Sequence, residues 1–199
     1  MFIICIKKLE SVNLMFIKDK NSRICIRNIK ANDIYDLWKI AYDENLEWME
    51  WNGPYFNDPI LTFEEFKKIA EKHYINNPYR AIIVFEDKVV GQVSAFWEDG
   101  ELKNWLEFGI LLYDQNTWSR GIGSKVITLW ITYLFEITNH IHRIGFTTWS
   151  GNKGMIKVGE KIGLTKEAQI RKVRYHQKKY YDSIKYGVLR DEWLTLNEQ

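Results

Sequence analysis

Apolar and polar positions recur along this chain in blocks that predict elements of two kinds. Ile24-Cys25-Ile26-Arg27 reads as a short strand. Asn32 and Asp33 stand where a helix cap belongs, and Ile34, Leu37, Trp38 and Ala41 then fall on one helical face. Residues 43–60 are irregular, broken by Gly53, Pro54 and Pro59. Thr62-Phe63-Glu64-Glu65 looks like a cap with an acidic first turn, and Phe63, Phe66, Ile69 and Ala70 follow at helical spacing. Ala81–Phe85, a charged turn at Glu86-Asp87-Lys88 and Val89–Phe96 predict a hairpin, and Trp105–Leu112 is the next strand in sequence. Beyond Trp118-Ser119-Arg120-Gly121-Ile122-Gly123-Ser124, the residues Ile122, Val126, Leu129, Trp130, Tyr133, Leu134 and Ile137 trace a long apolar stripe. Ile144–Trp149 is a strand, Asn152–Ile162 a helix ended by Gly163, and two last strands flank His176-Gln177-Lys178, near Ile170–Tyr175 and Tyr180–Gly187.

The order β, two helices, three-stranded meander, helix, strand, helix, two strands predicts an α/β (α+β) fold in a single domain with a mixed sheet covered by helices. The domain is expected over residues 23–190. A loosely ordered leader is expected over 1–22, with Met15 as a second candidate start, and a tail over 191–199.

Composition narrows the picture only slightly. The chain has 199 residues, 46% hydrophobic and 27% charged, enough for a core, and its nine Trp, eleven Tyr and ten Phe argue against disorder. A formal net charge of +2 implies no particular partner, and nucleic-acid binding is not expected. Cys5 and Cys25 make neither a disulfide framework nor a metal-ligand spacing, which suits the cytoplasm. The apolar run at residues 2–6 is too short for a membrane span or a signal peptide. His73, His140, His142 and His176 show no ligand spacing, so no metal is expected.

The segment Trp118–Ser124 carries the chemistry. A strand, a glycine-bearing turn and a helix start leave first-turn N–H groups free at the positive end of a helix dipole, an anion site. Glycines let the backbone approach a phosphate. The Gly-x-x-x-x-Gly-Lys-Ser/Thr loop of nucleotide triphosphatases is absent, and a dinucleotide fingerprint would follow the first strand of a parallel unit rather than a mid-chain meander.

These residues resemble the GNAT superfamily of acyl-CoA-dependent N-acyltransferases, in which the pyrophosphate motif is Gln/Arg-x-x-Gly-x-Gly/Ala. Gly121 and Gly123 match its last fixed positions, and Trp118 at its head is similar to the RimJ/RimL-type branch, the ribosomal-protein N-terminal acetyltransferases. Asn152 with Glu160-Lys161-Ile162-Gly163-Leu164, and Tyr181-Asp182 with Tyr186-Gly187 before Arg190-Asp191-Glu192-Trp193, resemble further segments of the family. The resemblance covers roughly residues 23–190. It implies a single-domain GNAT fold, a mostly antiparallel central sheet flanked by about four helices, and acetyl-CoA as acyl donor. The backbone at Arg120, Gly121, Ile122, Gly123 and Ser124 would cradle the pyrophosphate. A splayed strand at Ile110, Leu111 and Leu112 would meet the pantetheine arm, and Asn152 would meet that arm or cap the next helix.

Acetyl transfer to an amine needs the neutral nucleophile, and a carboxylate can take its proton. Glu107 is the candidate: alternation puts it on one face with Trp105, Gly109 and Leu111, and many relatives resemble this chain in carrying Glu there. Its structural alternative is a strand-end carboxylate paired with a lysine. The family's usual acid for the thiolate is a Tyr where this chain has Gly159. The loop from Asp43 to Phe56 interleaves acids with aromatics, which suits a cationic amine, and Trp48, Glu50 and Trp51 are its candidate contacts. Lys166, Arg171, Lys172, Arg174, Lys178, Lys179, Lys185 and Arg190 are read as a charged face guarding strand edges. The expected activity is direct acetyl transfer, without a covalent enzyme intermediate, to a primary amine, foremost a protein N-terminus. The rivals are a small amine such as a polyamine, amino acid or antibiotic, and an inactive acyl-CoA-binding module. The protein would act as a monomer or homodimer.

Overall fold

Apolar stripes and caps decide where this chain turns into elements. A computed structural model describes residues 3–9, 12–19 and 21–197. Its strands are β1 Ile3–Leu9, β2 Val12–Lys18, β3 Ile24–Arg27, β4 Arg80–Phe85, β5 Lys88–Trp97, β6 Leu106–Leu112, β7 Arg143–Trp149, β8 Thr165–His176 and β9 Lys179–Leu189. Its helices are α1 Ile34–Trp38, α2 Phe63–His73, α3 Ile122–Ile137, α4 Lys153–Lys161 and α5 Arg190–Asn197. The fold is α/β with a mixed, mostly antiparallel sheet, as the element order implies.

The structure departs from the sequence reading at both ends. Of the segment 1–22, residues 3–9 and 12–18 are strands: β1 pairs with β2 and β2 with β3, and Met15 and Ile17 are buried. Alternate apolar positions give β2 an inward face, the same period-two signal that marks β3. Residues 1, 2, 10, 11 and 20 lie outside the described residues. Residues Arg190–Asn197 form a fifth helix rather than a tail, with Trp193 buried, and residues 198 and 199 lie outside the described residues. The first helix is also shorter than its apolar face predicts. It gives way at Lys39–Asp43 to a wider turn in which the Glu44 N–H donates to the Lys39 carbonyl.

The chain divides into two compact units. The first holds Met1–Trp48, Pro59–Ser94 and Ile110–Trp130, and the second Met49–Asp58, Ala95–Gly109 and Ile131–Gln199. In the first, antiparallel pairing runs β1-β2-β3-β4-β5. Here α2 starts on a capping box between Thr62 and Glu65, and its Phe66 and Ala70 are buried. In the second, β6 lies parallel to β7, β7 antiparallel to β9, and β9 antiparallel to β8. Arg190 donates to the carbonyls of Phe135, Thr138 and Ile141, satisfying acceptors at the C-terminal end of α3, where a cation also suits the helix dipole. Among the described residues no helix is long and apolar enough to cross a membrane.

Asp33 shows how one carboxylate fixes the entry to α1. It accepts both ends of the Arg27 guanidinium at 2.7 and 2.8 Å and the Lys30 N–H at 2.7 Å. Burial alone would push its carboxyl up, but the Arg27 and Lys30 hydrogen bonds outweigh burial and hold it below the usual range. With the folded value depressed, the stabilisation is complete above about pH 4 and is lost as pH falls through the folded value. Asp33→Asn is expected to lower stability by about 1–3 kcal/mol at pH 7 and to do so far less at pH 2–3, read by urea unfolding at both pH values.

Candidate functional site

In the first unit, the turn at Trp118–Ser124 leads into α3 through left-handed backbone. Ser119 and Gly121 both have positive φ, 59° and 77°, and the second is a conformation that favours glycine. The Lys125 N–H donates to the Gly121 carbonyl at 3.2 Å, so Gly121 is the cap and the N–H groups of Ile122, Gly123 and Ser124 have no acceptor in the preceding turn. Ile122 anchors this start in the core and Ser124 is buried. Arg120 lies over the Phe85 ring at 5.0 Å. Trp118 has a local task of its own: its indole N–H donates to the Leu112 carbonyl at 2.9 Å, tying the end of β6 to the turn.

Ile110, Leu111 and Leu112 are half-buried. The sequence reading missed Gly91 opposite them. A Cβ at that position would lie 2.1 Å from the Leu111 carbonyl oxygen, so only glycine lets the backbones come this close. A glycine inside an otherwise apolar strand pattern is the signal that marks it. Trp48 is core: it is 6% exposed, donates its indole N–H to the Ala41 carbonyl and packs edge-on to Tyr42 and Tyr113. Of the three loop residues expected to face an acceptor, it is the one placed away from solvent.

In the second unit, a polar cluster sits on the odd-numbered face of β6, β7 and β9. Glu107 is only 1% exposed. Its Oε1 accepts the Trp105 indole N–H at 3.1 Å and the Lys185 ammonium at 3.2 Å, and its Oε2 accepts the Thr147 hydroxyl at 2.6 Å. Arg143 stands 3.7 Å away and also grips Glu167. Lys185 donates to Thr147 Oγ1 at 2.8 Å, lies 3.6 Å from Glu98 and sits over the Trp105 ring at 5.1 Å. Thr147 and Lys185 are opposed across the β7–β9 ladder, which is why their side chains meet. Glu107 therefore carries the lysine partner of its structural alternative, together with three further donors. The partners were missed because each is an ordinary polar residue in an alternating strand; only the parity of 105, 107, 143, 147 and 185 hints at one face.

The same face of β7 carries Trp149, which holds the loop 49–58. The Trp51 carbonyl accepts the Trp149 indole N–H and the Asn152 amide N–H, both at 3.0 Å. Asn152 also caps α4, its Oδ1 accepting the Met155 N–H at 2.9 Å, so both ends of its amide are engaged. Tyr55 and Tyr181 pack edge-on to Trp149, Arg174 lies over the Tyr55 and Phe56 rings at 4.9 and 5.4 Å, and Glu50 pairs with His176 at 3.8 Å. Trp51 is exposed at this loop. Of the basic residues read as a charged face guarding strand edges, Arg174, Lys185 and Arg190 have partners within the fold, and Asp182 pins a bulge by accepting the Lys172 N–H. Gly159 leaves room for the Phe146 ring, which a Cβ would approach to 2.9 Å. Among the described residues no three His, Cys, Asp or Glu are grouped to hold a metal.

Comparison with known proteins gives consistent matches. The model of the acetyltransferase (GNAT) domain matches residues 23–165. A prophage-derived N-acetyltransferase of Bacillus subtilis, YokL, is 31% identical over 126 residues, 62% of this chain and 69% of that protein. A spermidine N(1)-acetyltransferase of Vibrio cholerae is 21% identical over 180 residues, 89% of this chain and 99% of that one. Among solved structures, a GNAT-family acetyltransferase from Bacillus anthracis superposes with TM-score 0.71 at 23% identity, covering 89% of this chain and 100% of the other. The spermidine N-acetyltransferase of Vibrio cholerae in complex with CoA and spermine superposes with TM-score 0.71 at 21% identity, over 87% and 99%.

Asn152→Asp separates the two tasks of this side chain. A carboxylate still caps α4 but cannot donate to the Trp51 carbonyl. Hydrogen exchange is expected to quicken over residues 49–58 and to stay unchanged over 153–161.

Proposed function

The chain belongs to the acetyltransferase (GNAT) domain family, and from that premise we propose that the amine it acetylates is the N-terminus, or another amino group, of a protein. It is an acetyl-CoA-dependent N-acetyltransferase. In our reading, the first-turn N–H groups of α3 from Ile122 to Ser124, with Arg120 and the left-handed Gly121, receive the pyrophosphate. The backbone of Ile110–Leu112 runs beside the pantetheine arm, and Asn152 serves the acceptor loop. Two features support this fit: a helix start with unpaired N–H groups and a cap whose φ favours glycine.

The chemistry is direct. The neutral amine attacks the thioester carbonyl, a C–N bond forms, the C–S bond breaks, and the sulfur leaves with the electron pair. Most amines are protonated at pH 7, so a proton must first be lost, and Glu107 is the base in this reading. With glycine at position 159, the departing thiolate is protonated by water.

One observation carries the choice of acceptor. The loop 49–58 presents the exposed rings of Trp51 and Phe56 beside Arg174, with the exposed carboxylate of Glu50 against His176. A peptide N-terminus brings a single charge for that carboxylate and an apolar side chain that suits Trp51, Tyr55 and Phe56. The likeness to a spermidine acetyltransferase favours a second reading, a polyamine acceptor. We place the activity in the cytoplasm, where acetyl-CoA and nascent chains meet.

Thiol release with a panel of peptides and polyamines decides between the acceptors. Peptides are expected to turn over with the higher kcat/KM, with the acetyl group found on the α-amine by mass spectrometry; exclusive turnover of spermidine would select the second reading. Glu107→Gln is expected to lower kcat/KM about 100-fold or more, while CoA affinity stays unchanged. On the donor side, CoA should raise Tm in the wild type. A Gly121→Val variant, forced into a left-handed backbone, should show a clearly smaller rise, and an equal rise in both would move the pyrophosphate elsewhere.

A further inference from the structure

We propose that Thr147 carries the acceptor's proton to Glu107, with Lys185 as the residue that positions its hydroxyl. This rests on the reading of Glu107 as the base and explains how such a base is reached. Glu107 is 1% exposed, roofed by donors, and an amine at the surface cannot touch its carboxylate. Thr147, by contrast, is exposed, and its hydroxyl already donates to Glu107 Oε2 at 2.6 Å. A hydroxyl has one proton to give and two lone pairs to receive. One lone pair takes a Lys185 N–H at 2.8 Å, which turns the Thr147 proton toward the carboxylate. The second lone pair is left for the acceptor.

The acceptor side lies on the same face. Thr147 and Trp149 are two apart on β7, so both point the same way, and Trp149 holds the loop 49–58 through the Trp51 carbonyl. An amine seated at the loop that the buried Trp149 carries stands toward the Thr147 side of this face.

The step balances. The ammonium N–H passes its proton to Thr147 Oγ1 as the threonine's own proton moves to Glu107 Oε2. The nitrogen lone pair so freed forms the C–N bond, and the C–S bond breaks with its electrons on sulfur. As the C–S bond breaks the nitrogen sheds its second proton to solvent, water protonates the thiolate, and Glu107 returns the first proton to solvent by the same route. The charges around the carboxylate are Lys185 from β9, Arg143 from β7, Glu98 after β5 and, through Arg143, Glu167 from β8. The two cations keep a buried anion tolerable in the absence of substrate.

Thr147→Val keeps the shape and removes the relay. With a basic amine at pH 7, kcat is expected to fall about 100-fold or more, with the KM for acetyl-CoA unchanged, and Thr147→Ser is expected to retain activity within about tenfold. The deficit should shrink as pH rises toward the acceptor's own pKa, and nearly vanish with an amine of low basicity already neutral at pH 7. Lys185→Met should show the same pattern more weakly. Wild-type rates in Thr147→Val with a dead Glu107→Gln would overturn the relay and leave the base in place. Wild-type rates in both variants would overturn the base reading as well. An equal loss on every amine at every pH would make Thr147 structural and overturn the relay.

Discussion

A carboxylate buried in a sheet has to be ringed by donors, and Glu107 imposes that demand on half of this protein. The donors are Trp105 just ahead of β6, Thr147 and Arg143 on β7, and Lys185 on β9. Their meeting requires the parallel register that sets Glu107 beside Gly145. It also requires glycine at that place, because a Cβ on Gly145 would lie 2.4 Å from the Tyr186 carbonyl oxygen and press on the Arg143 guanidinium. Removing one partner would leave a charge stranded, which is why an isolated change within such a cluster is felt far more than its replacement as a set. The cluster thus ties β6, β7 and β9 together, and in the reading proposed above it is also where the proton leaves the amine.

The two halves of the chemistry draw on different physics. Donor recognition in this reading relies on main-chain groups, the N–H dipoles at the start of α3 and the strand backbone next to Gly91, and these need glycines more than side chains. Acceptor recognition relies on side chains of the loop 49–58 and of the β8–β9 hairpin. The first kind of site is common to proteins with many acceptors, and the second is where such proteins differ. Family membership therefore settles the donor and the reaction, and leaves the amine to be identified by charge and shape.

Legibility in the sequence follows the same division. The long apolar stripe of α3, the capping box at Thr62 and Glu65, and the glycine turn were readable because each rests on residues close in sequence. The strands at 3–9 and 12–18 were not, since their worth depends on pairing with β3. Nor was the core role of Trp48: a tryptophan among acids reads as surface until Ala41 and Tyr113 are seen around it. Glu107 could be nominated from alternation, but its partners at 143, 147 and 185 lie far along the chain and carry no local mark. Lys185 and Arg190, counted among surface charges, turned out to hold a buried carboxylate and three helix-end carbonyls.

The loop 49–58 hangs from the carbonyl oxygen of Trp51, gripped by Trp149 and Asn152. Every amino acid offers that same oxygen. This point of attachment is accordingly made by the main chain of position 51, while Trp149 and Asn152 must stay. A loop fastened by a main-chain oxygen keeps that anchor when an outward side chain is exchanged, and the polar face of β6, β7 and β9 is left untouched.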